Sequence, residues 1–343
     1  MNHFSGSYSP NDVTFLLKPL QVRSGVKGRG SEFLKMEQPP SPDYVRLYQL
    51  ALARNGARFA GHLRRLAAQV NANVQGPITV VSLARAGAPI GVLLNRVLAS
   101  AYSRDVCHYS ISIIRGRGLD VNAMRHILEH RPDTSIVFVD GWTGNGGIGR
   151  EIDQTVTEFN QSHGTRVSPA LYVAADIAGT ASVTASRDDY LLPSAVLNST
   201  VSGLVSRTVL NDEIGPSDFH GCAFYEHLRP HDISQEFIDQ MYPVVMAAQE
   251  VLPDRAPVNG GDLAQYVTDY LKSRGLPGTN WVKPGVAEAA RVLLRKTAHH
   301  LVLRDYDHPD TAHLLHLANT SGVSVTQDHA LPCLALASVL ISD

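Results

Sequence analysis

The sequence predicts an α/β protein: a parallel sheet with helices on both faces, followed by a smaller α/β/α domain. Three observations carry this. Between Ile78 and Asp176, short apolar runs alternate with helix-length amphipathic segments. Linker composition follows in "PDRAPVNGG", Pro253 to Gly261. Beyond it the alternation restarts on a smaller scale. The expected division is therefore residues 1–254 and 255–343.

The elements are expected in this order. "SGSYSPNDVTFLLKPL" opens like a helix, with Ser9 as cap, Pro10 at the first position and Asp12 where a capping box places its acid. Gln21 to Pro42, rich in Gly, Ser and Pro, reads as a long loop. A helix follows with Leu47, Leu50, Phe59, Leu63 and Leu66 on its apolar side, and with Arg54, Arg58, Arg64 and Arg65 as a solvated face. "ITVVSL" is a buried strand, "PIGVLLNRVLASA" a helix and "CHYSISII" a strand. "DVNAMRHILEH" is a helix, "SIVFVD" a strand, "GIGREIDQTVTEFN" a helix and "SPALYVAAD" a strand. Ile177 to Pro230, rich in Ser, Thr and Asp, is expected to wrap the sheet's open end. "DISQEFIDQMYPVVMAAQEVL" is a helix. In the second domain "GVAEAARVLLRK" is a helix, "HHLVLRD" a strand, "HPDTAHLLHLANTSG" a helix, "VSVT" a strand and "LPCLALASVLIS" a helix.

The bulk composition excludes some classes. Hydrophobic residues are 44%, charged residues 18% and the net charge is −2, so no overall basic field advertises nucleic acid. There is no signal-peptide pattern and no apolar run long enough to span a bilayer. The three cysteines, Cys107, Cys222 and Cys333, form neither a disulfide framework nor a zinc pattern. A cytoplasmic protein with no membrane partner is expected.

The chemistry is expected at strand ends, where open parallel sheets bind ligands. In "IVFVDGWTGNGGIGRE" a buried strand ends at Asp140, a glycine-rich turn follows, and a helix begins. Consecutive amides in such a turn, backed by a helix N-terminus, form an anion site. The turn offers Thr143, Gly144, Asn145, Gly146 and Gly147. No Gly-Lys-Ser/Thr follows, which argues against a phosphate-loop NTPase. Gly144, Gly146 and Gly149 match G-x-G-x-x-G, so a dinucleotide fold competes. A second loop, with Arg85, Ala86 and Gly87, also joins a buried strand to a helix, and two anion loops suit a ligand with phosphate at both ends.

These residues resemble type I phosphoribosyltransferases. "VDGWTGNGG" is similar to that family's 5-phosphate turn and "LARAGAP" to its pyrophosphate turn, and "SIIRGRGLDVNAMRH" lies where its mobile loop belongs. The resemblance implies phosphoribosyl pyrophosphate as substrate, with magnesium, an acceptor base or amine left open, and no metal ligand from the protein. It places Asp140 on the ribose, Thr143 to Gly147 on the 5-phosphate, Arg85, Ala86 and Gly87 on the pyrophosphate, and Arg115 and Arg117 in the closing loop. Asp176, ending the next strand, would face the acceptor or cap a turn. Gly141 departs from the pattern, standing where the family carries a second acid.

The whole chain resembles a bacterial group found with tellurite- and stress-resistance genes, on "FSGSYSPNDVTFLLKPL", "LNSTVSGLVSRTVLN" and "DFHGCAFYEHLRP". That group joins a phosphoribosyltransferase-like domain to a Pelota-type RNA-binding domain, and is also labelled cysteine protease StiP. The label directs attention to Cys222, with His220, His227, His231 and Asp232 nearby. No protease signature surrounds it, and a small buried cysteine beside a polar cluster is the expectation. For the second domain the resemblance implies RNA contact through "NWVKPG", with Lys283, Arg291, Arg295 and Lys296 giving a basic helix side. The acids of "RDYDHPD" oppose this and leave protein docking open. The favoured expectation is a phosphoribosyltransferase-like enzyme with an RNA-binding domain. The alternatives are a cysteine protease centred on Cys222 and a non-catalytic nucleotide-sensing, RNA-binding protein.

Overall fold

A computed structural model describes residues 4–21, 34, 36–249, 254, 257–294 and 298–339. In chain order the first portion contains β1 (Thr14–Phe15), β2 (Lys18–Pro19), α1 (Pro42–Asn73), β3 (Ile78–Leu83), α2 (Ala88–Tyr102) and β4 (Val106–Ile111). It continues with β5 (Ile113–Ile114), β6 (Gly118–Leu119), α3 (Val121–Leu128), β7 (Ile136–Thr143), α4 (Gly147–His163), β8 (Leu171–Asp176), β9 (Val183–Thr184), β10 (Gly221–Cys222) and α5 (Ser234–Ala247). The alternating apolar runs become a six-stranded sheet in the order β1-β4-β3-β7-β8-β9, with every neighbouring pair parallel. β3 and β8 are buried along their whole length, as strands covered on both faces must be.

The opening helix is not formed. Phe15, Leu16 and Leu17 are all fully buried. Three consecutive buried side chains suit an extended edge strand between layers better than a helix, which would turn one outward. Asp12 caps nothing; its carboxylate takes two bonds from Arg96, at 2.7 Å each. The long loop expected over Gln21 to Pro42 falls largely outside the described residues.

α1 starts where Ser41 caps Tyr44 and Pro42 supplies a preset φ. It buries Leu47, Phe59, Leu63 and Leu66, whereas Leu50 faces outward. Its arginines are not all a solvated face: Arg54 is exposed, but Arg64 and Arg65 are half-buried. Arg58 is buried against Asp188 and lies 4.2 Å above the Tyr190 ring. α5 packs on α1 and α2 through Phe237, Ile238, Met241 and Val245. The Ser/Thr/Asp-rich stretch does wrap the sheet. Short turns at Pro193–Ala195 and Asn198–Val201 are buried, and β10 pairs in parallel with β2.

The second portion contains α6 (Gly260–Arg274), β11 (Val282–Pro284), α7 (Val286–Leu294), β12 (Ala298–Leu303), α8 (Ala312–Ser321), β13 (Ser324–Gln327) and β14 (Ala335–Val339). Its sheet runs β11-β14-β12-β13. The expected last helix is instead β14, antiparallel between β11 and β12. A short, continuous apolar run does not distinguish a buried strand from a buried helix. The two portions are not separately cored: Val286, Ala289 and Leu293 of α7 share one apolar cluster with Tyr190, Leu191 and Leu192 of the wrap. Among the described residues, no helix is long and apolar enough to cross a membrane.

Candidate functional site

β7 ends at Thr143 and α4 begins at Gly147, so the chain must turn within three residues. Gly146 makes the turn at a φ of +70°, and a Cβ there would lie 2.5 Å from Thr180 Cγ2. Only glycine fits both demands. Gly146 is also the N-cap of α4 and, having no side chain, supplies no acceptor of its own. Asn145 Oδ1 accepts from the Gly147 amide at 3.3 Å, and the turn fronts a cavity of about 190 Å³. The helix dipole makes this end electropositive.

The cavity has a wall from each portion of the chain. Ala86, Arg115, Asp140 and Trp142 line it from the first; Lys283, Pro284, Glu288 and Arg291 line it from the second. Arg115 donates to Asn280 Oδ1 at 3.1 Å, crossing the gap. Its guanidinium would be 3.5 Å from a Cβ on Gly147, so it lies against the turn. Trp142 Nε1 donates to Glu288 at 3.2 Å, and Arg291 lies 5.5 Å above the same indole. The hairpin of β5 and β6 that carries Arg115 is tied to α4: the Gly116 amide donates to both Glu151 carboxylate oxygens at 3.0 and 3.1 Å. Arg117 is exposed at the hairpin tip and does not line the cavity.

Asp140 accepts from its neighbour's amide, Gly141 N–H, at 2.8 Å. Burial raises its pKa to about 7; that amide and Arg291 oppose the rise, and Glu288 adds to it. A carboxyl so placed gains or loses its charge near neutrality. Gly141 has a conventional φ, and a Cβ there would meet nothing closer than 3.8 Å. Its smallness serves no packing need here. Magnesium does not fit this cavity on protein ligands alone. The lining carries Arg115, Lys283 and Arg291 against Asp140 and Glu288, and Glu288 is already bonded to Trp142 and Arg291.

The second loop is closed from inside. Arg85 points away from the cavity, donating to Glu37 Oε2 at 2.5 Å and to the Val205 carbonyl at 3.0 Å. A Cβ on Gly87 would lie 2.6 Å from the Val139 carbonyl oxygen and 2.9 Å from the Leu83 nitrogen. That glycine lets α2 start against β7. Only Ala86 of this loop reaches the cavity. Asp176 is buried and accepts from Thr143 Oγ1 and from the amides of Gly179 and Ala181, the latter two at 2.8 Å. It caps a turn, each of its oxygens has a partner, and it is not among the residues lining the cavity.

Cys222 is fully buried, and burial pushes its thiol up to about 12. Two of the neighbouring histidines are bonded elsewhere. His220 Nδ1 bonds Ser112 Oγ at 2.8 Å, and His227 Nε2 bonds the Glu37 carbonyl at 2.8 Å. Asp232 serves Ser234, through its amide at 3.0 Å and its hydroxyl at 2.7 Å. Cys107 is half-buried beside Thr79, and Cys333 donates to the Ala335 carbonyl at 3.1 Å. The thiols of both are raised by burial. Among the described residues, no thiol is hydrogen-bonded to an imidazole.

Of the basic side expected on one helix, only Arg291 is placed on α7; Lys283 stands on β11 instead, both face the cavity, and Arg295 and Lys296 lie outside the described residues. A feature the sequence did not signal holds the two walls together. Asp189 accepts from the α7 amide of Val286 and from the Leu334 amide, both at 2.8 Å. Burial raises its pKa to about 6 against the pull of those amides.

Residues 6–242 match the family model described as tellurite-like stress resistance cysteine protease StiP, and residues 263–341 match that of the PELOTA RNA binding domain. A protein of Acinetobacter baylyi named "Cysteine protease StiP" is 35% identical over 361 residues, covering 97% of this chain and 93% of its own length. These matches overturn the expectation of a phosphoribosyltransferase, since the family and the relative are both named as proteases, which are hydrolases. The geometry accounts for the misreading. The supposed pyrophosphate arginine is neutralised by Glu37 and faces another way, and the supposed acceptor acid is spent on its own turn.

Proposed function

This chain belongs to the StiP family of tellurite-like stress resistance proteins, and we propose that it acts in that resistance by binding a phosphate-bearing small molecule in the cleft between its two portions. One observation carries this reading: the glycine-rich N-terminus of α4, Arg115 from the first portion, and Lys283 and Arg291 from the second line a single cavity. Phosphate is the anion whose several oxygens use backbone amides and guanidinium groups together. A ligand touching both walls stabilises their docking by mass action. The Pelota-type portion is then an RNA-contacting arm whose position depends on the ligand. Calorimetric titration with inorganic pyrophosphate and ATP, with adenosine as the phosphate-free control, tests the site. Binding of the phosphate compounds alone, lost in Arg115→Ala/Lys283→Ala, supports it. Equal binding of adenosine, or no binding of any of them, removes it.

A second reading is favoured by the names of the family and of the relative: peptide hydrolysis by a thiol. Cys222 is the cysteine to test, because histidines surround it in the chain. With a pKa of about 12, its thiolate fraction at neutral pH is on the order of one in 10⁵. Catalysis therefore requires the pairing of β10 with β2 to open and an imidazole to reach the exposed thiol. Casein digestion by the full chain, compared with Cys222→Ser, decides it. Loss of digestion with an unchanged melting temperature assigns the nucleophile; unchanged digestion excludes Cys222.

A further inference from the structure

The sheet edge opposite the cleft carries a different donor set. The last turn of α3 carries His126, its C-cap is Glu129, and His130 follows in the turn that leads on toward the N-terminal end of β7. The glycine turn lies at the other end of β7, an eight-residue strand, which puts roughly 25 Å between the two places. One ligand atom from each of His126, Glu129 and His130 can be chosen so that all three lie within 4.8 Å of one another.

Several features prepare these side chains for an ion. The chain keeps helix-like bonds past Leu128, Glu129 N–H donating to the Arg125 carbonyl at 3.1 Å and His130 N–H to that of Ile127 at 3.0 Å, which brings the three residues to one side of the helix end. The His130 Nδ1 bonds the His126 carbonyl oxygen at 2.8 Å. An acceptor on Nδ1 fixes the tautomer that leaves Nε2 with its lone pair, the usual orienting contact of a metal-bound histidine. The His126 ring is held edge-on by Phe219 and Tyr109, with centroids 5.9 and 6.4 Å away, and lies 4.7 Å from the His130 ring. The carbonyl end of α3 favours positive charge. Glu129 and His130 are exposed, so their side chains can close the remaining distance to bonds of about 2.0–2.2 Å. Nearby Arg131 is turned toward Asp105, at 3.2 Å.

We propose that His126, Glu129 and His130 form a binding site for a divalent transition metal, distinct from the interdomain cleft. Two imidazoles and one carboxylate select a borderline ion such as zinc over magnesium or calcium, which prefer all-oxygen sites. Three protein ligands leave a coordination position to water. Binding uses the imidazole lone pairs, so protons compete with the metal for them.

The test uses the full chain and zinc chloride as the probe, by calorimetry at pH 7.5, with cobalt absorption as a second signal. One zinc per chain at micromolar or tighter affinity is expected, weakened at least tenfold in His130→Gln and in Glu129→Gln. Both positions are exposed, so these variants keep the fold even where His126→Ala, which removes packing on Phe219, does not. Zinc binding weaker than about 100 μM, or affinity unchanged in both variants, overturns the site.

Discussion

The two strand-to-helix turns of the first portion contain similar residues and do different work. The turn after β7, Thr143 to Gly147, opens onto a cavity. The turn after β3 carries an arginine beside a glycine and reads equally well as an anion loop. There the anion is already present: Glu37 holds Arg85 at 2.5 Å. Even the glycines differ in purpose. Gly146 is required by a left-handed φ and by Thr180, whereas Gly87 is required by the backbone of β3 and β7. Composition specifies that a turn can hold an anion; it does not specify whether the chain supplies that anion itself.

Substitutions at the two glycines should give the largest effects and separate the two purposes. Gly87→Ala forces a Cβ against the Val139 carbonyl and the Leu83 nitrogen, atoms that cannot rotate away. Overpacking of this kind costs roughly 1–3 kcal/mol or more, so urea unfolding should shift strongly. Gly146→Val meets the Thr180 side chain, which has some freedom, but it also places a β-branched residue at positive φ, adding about 1–2 kcal/mol. Gly146→Val should abolish binding of pyrophosphate while the chain still folds at 20 °C. If Gly87→Ala is fully stable yet loses the ligand, the second turn is an open ligand site after all.

The arginines sharpen the contrast at smaller magnitude. Arg85→Ala leaves Glu37 part-buried without its partner and should destabilise the fold by about 1.5–3 kcal/mol, with ligand affinity unchanged. Arg115→Ala should do the reverse. Its side chain is exposed, so unfolding should barely move, while pyrophosphate affinity falls by about tenfold. Paired denaturation and titration on both variants would show the crossing. Parallel losses in both measurements for either variant would contradict it.

Much of the sheet was legible because β3, β7 and β8 are continuous apolar runs bounded by turn residues. Two failures have a common cause. Phe15 to Leu17 and the stretch from Ala335 to Val339 are apolar without a clear period, and tertiary burial on two sides decides their conformation. α6 was missed because Asn259, Gly260 and Gly261 look like a linker. In fact Asn259 caps the helix, and a Cβ on Gly260 would lie 2.1 Å from the Ala178 carbonyl oxygen. At the site, Asp140 and the glycine turn were legible from their place at a strand end. The inward turn of Arg85, the capping role of Asp176 and the clasp of Asp189 depend on partners distant in sequence. The His126, Glu129, His130 set was spelled out in the chain but passed as an ordinary amphipathic helix.

The smallest expected effect concerns charge rather than space, and it bears on the open turn alone. Asp140 and Asp189 both have folded pKa values above the ordinary carboxylate range, about 7 and about 6. Between pH 4 and those values the folded chain holds protons that the unfolded chain has released. Their contribution to stability is therefore fully present below about pH 4 and is lost as pH rises, first through 6 and then through 7. Asp140 faces the cavity, and Asp189 is sealed beneath α7 with two amide partners. Asp140→Asn removes the titration without removing the oxygen that accepts from Gly141. Melting temperature should then become flatter between pH 6 and 7 than in the unsubstituted chain, while the decline from pH 4 to 6 loses the share of Asp140 and keeps that of Asp189. A phosphate ligand should instead extend the same upper slope, because its negative charge favours the protonated Asp140 and carries the titration to higher pH. Thermal melts at half-unit pH steps, with and without pyrophosphate, measure both. An upper slope identical in Asp140→Asn and the unsubstituted chain would mean that Asp140 keeps an ordinary carboxylate pKa, and that the open turn meets its ligand with a full negative charge beside it.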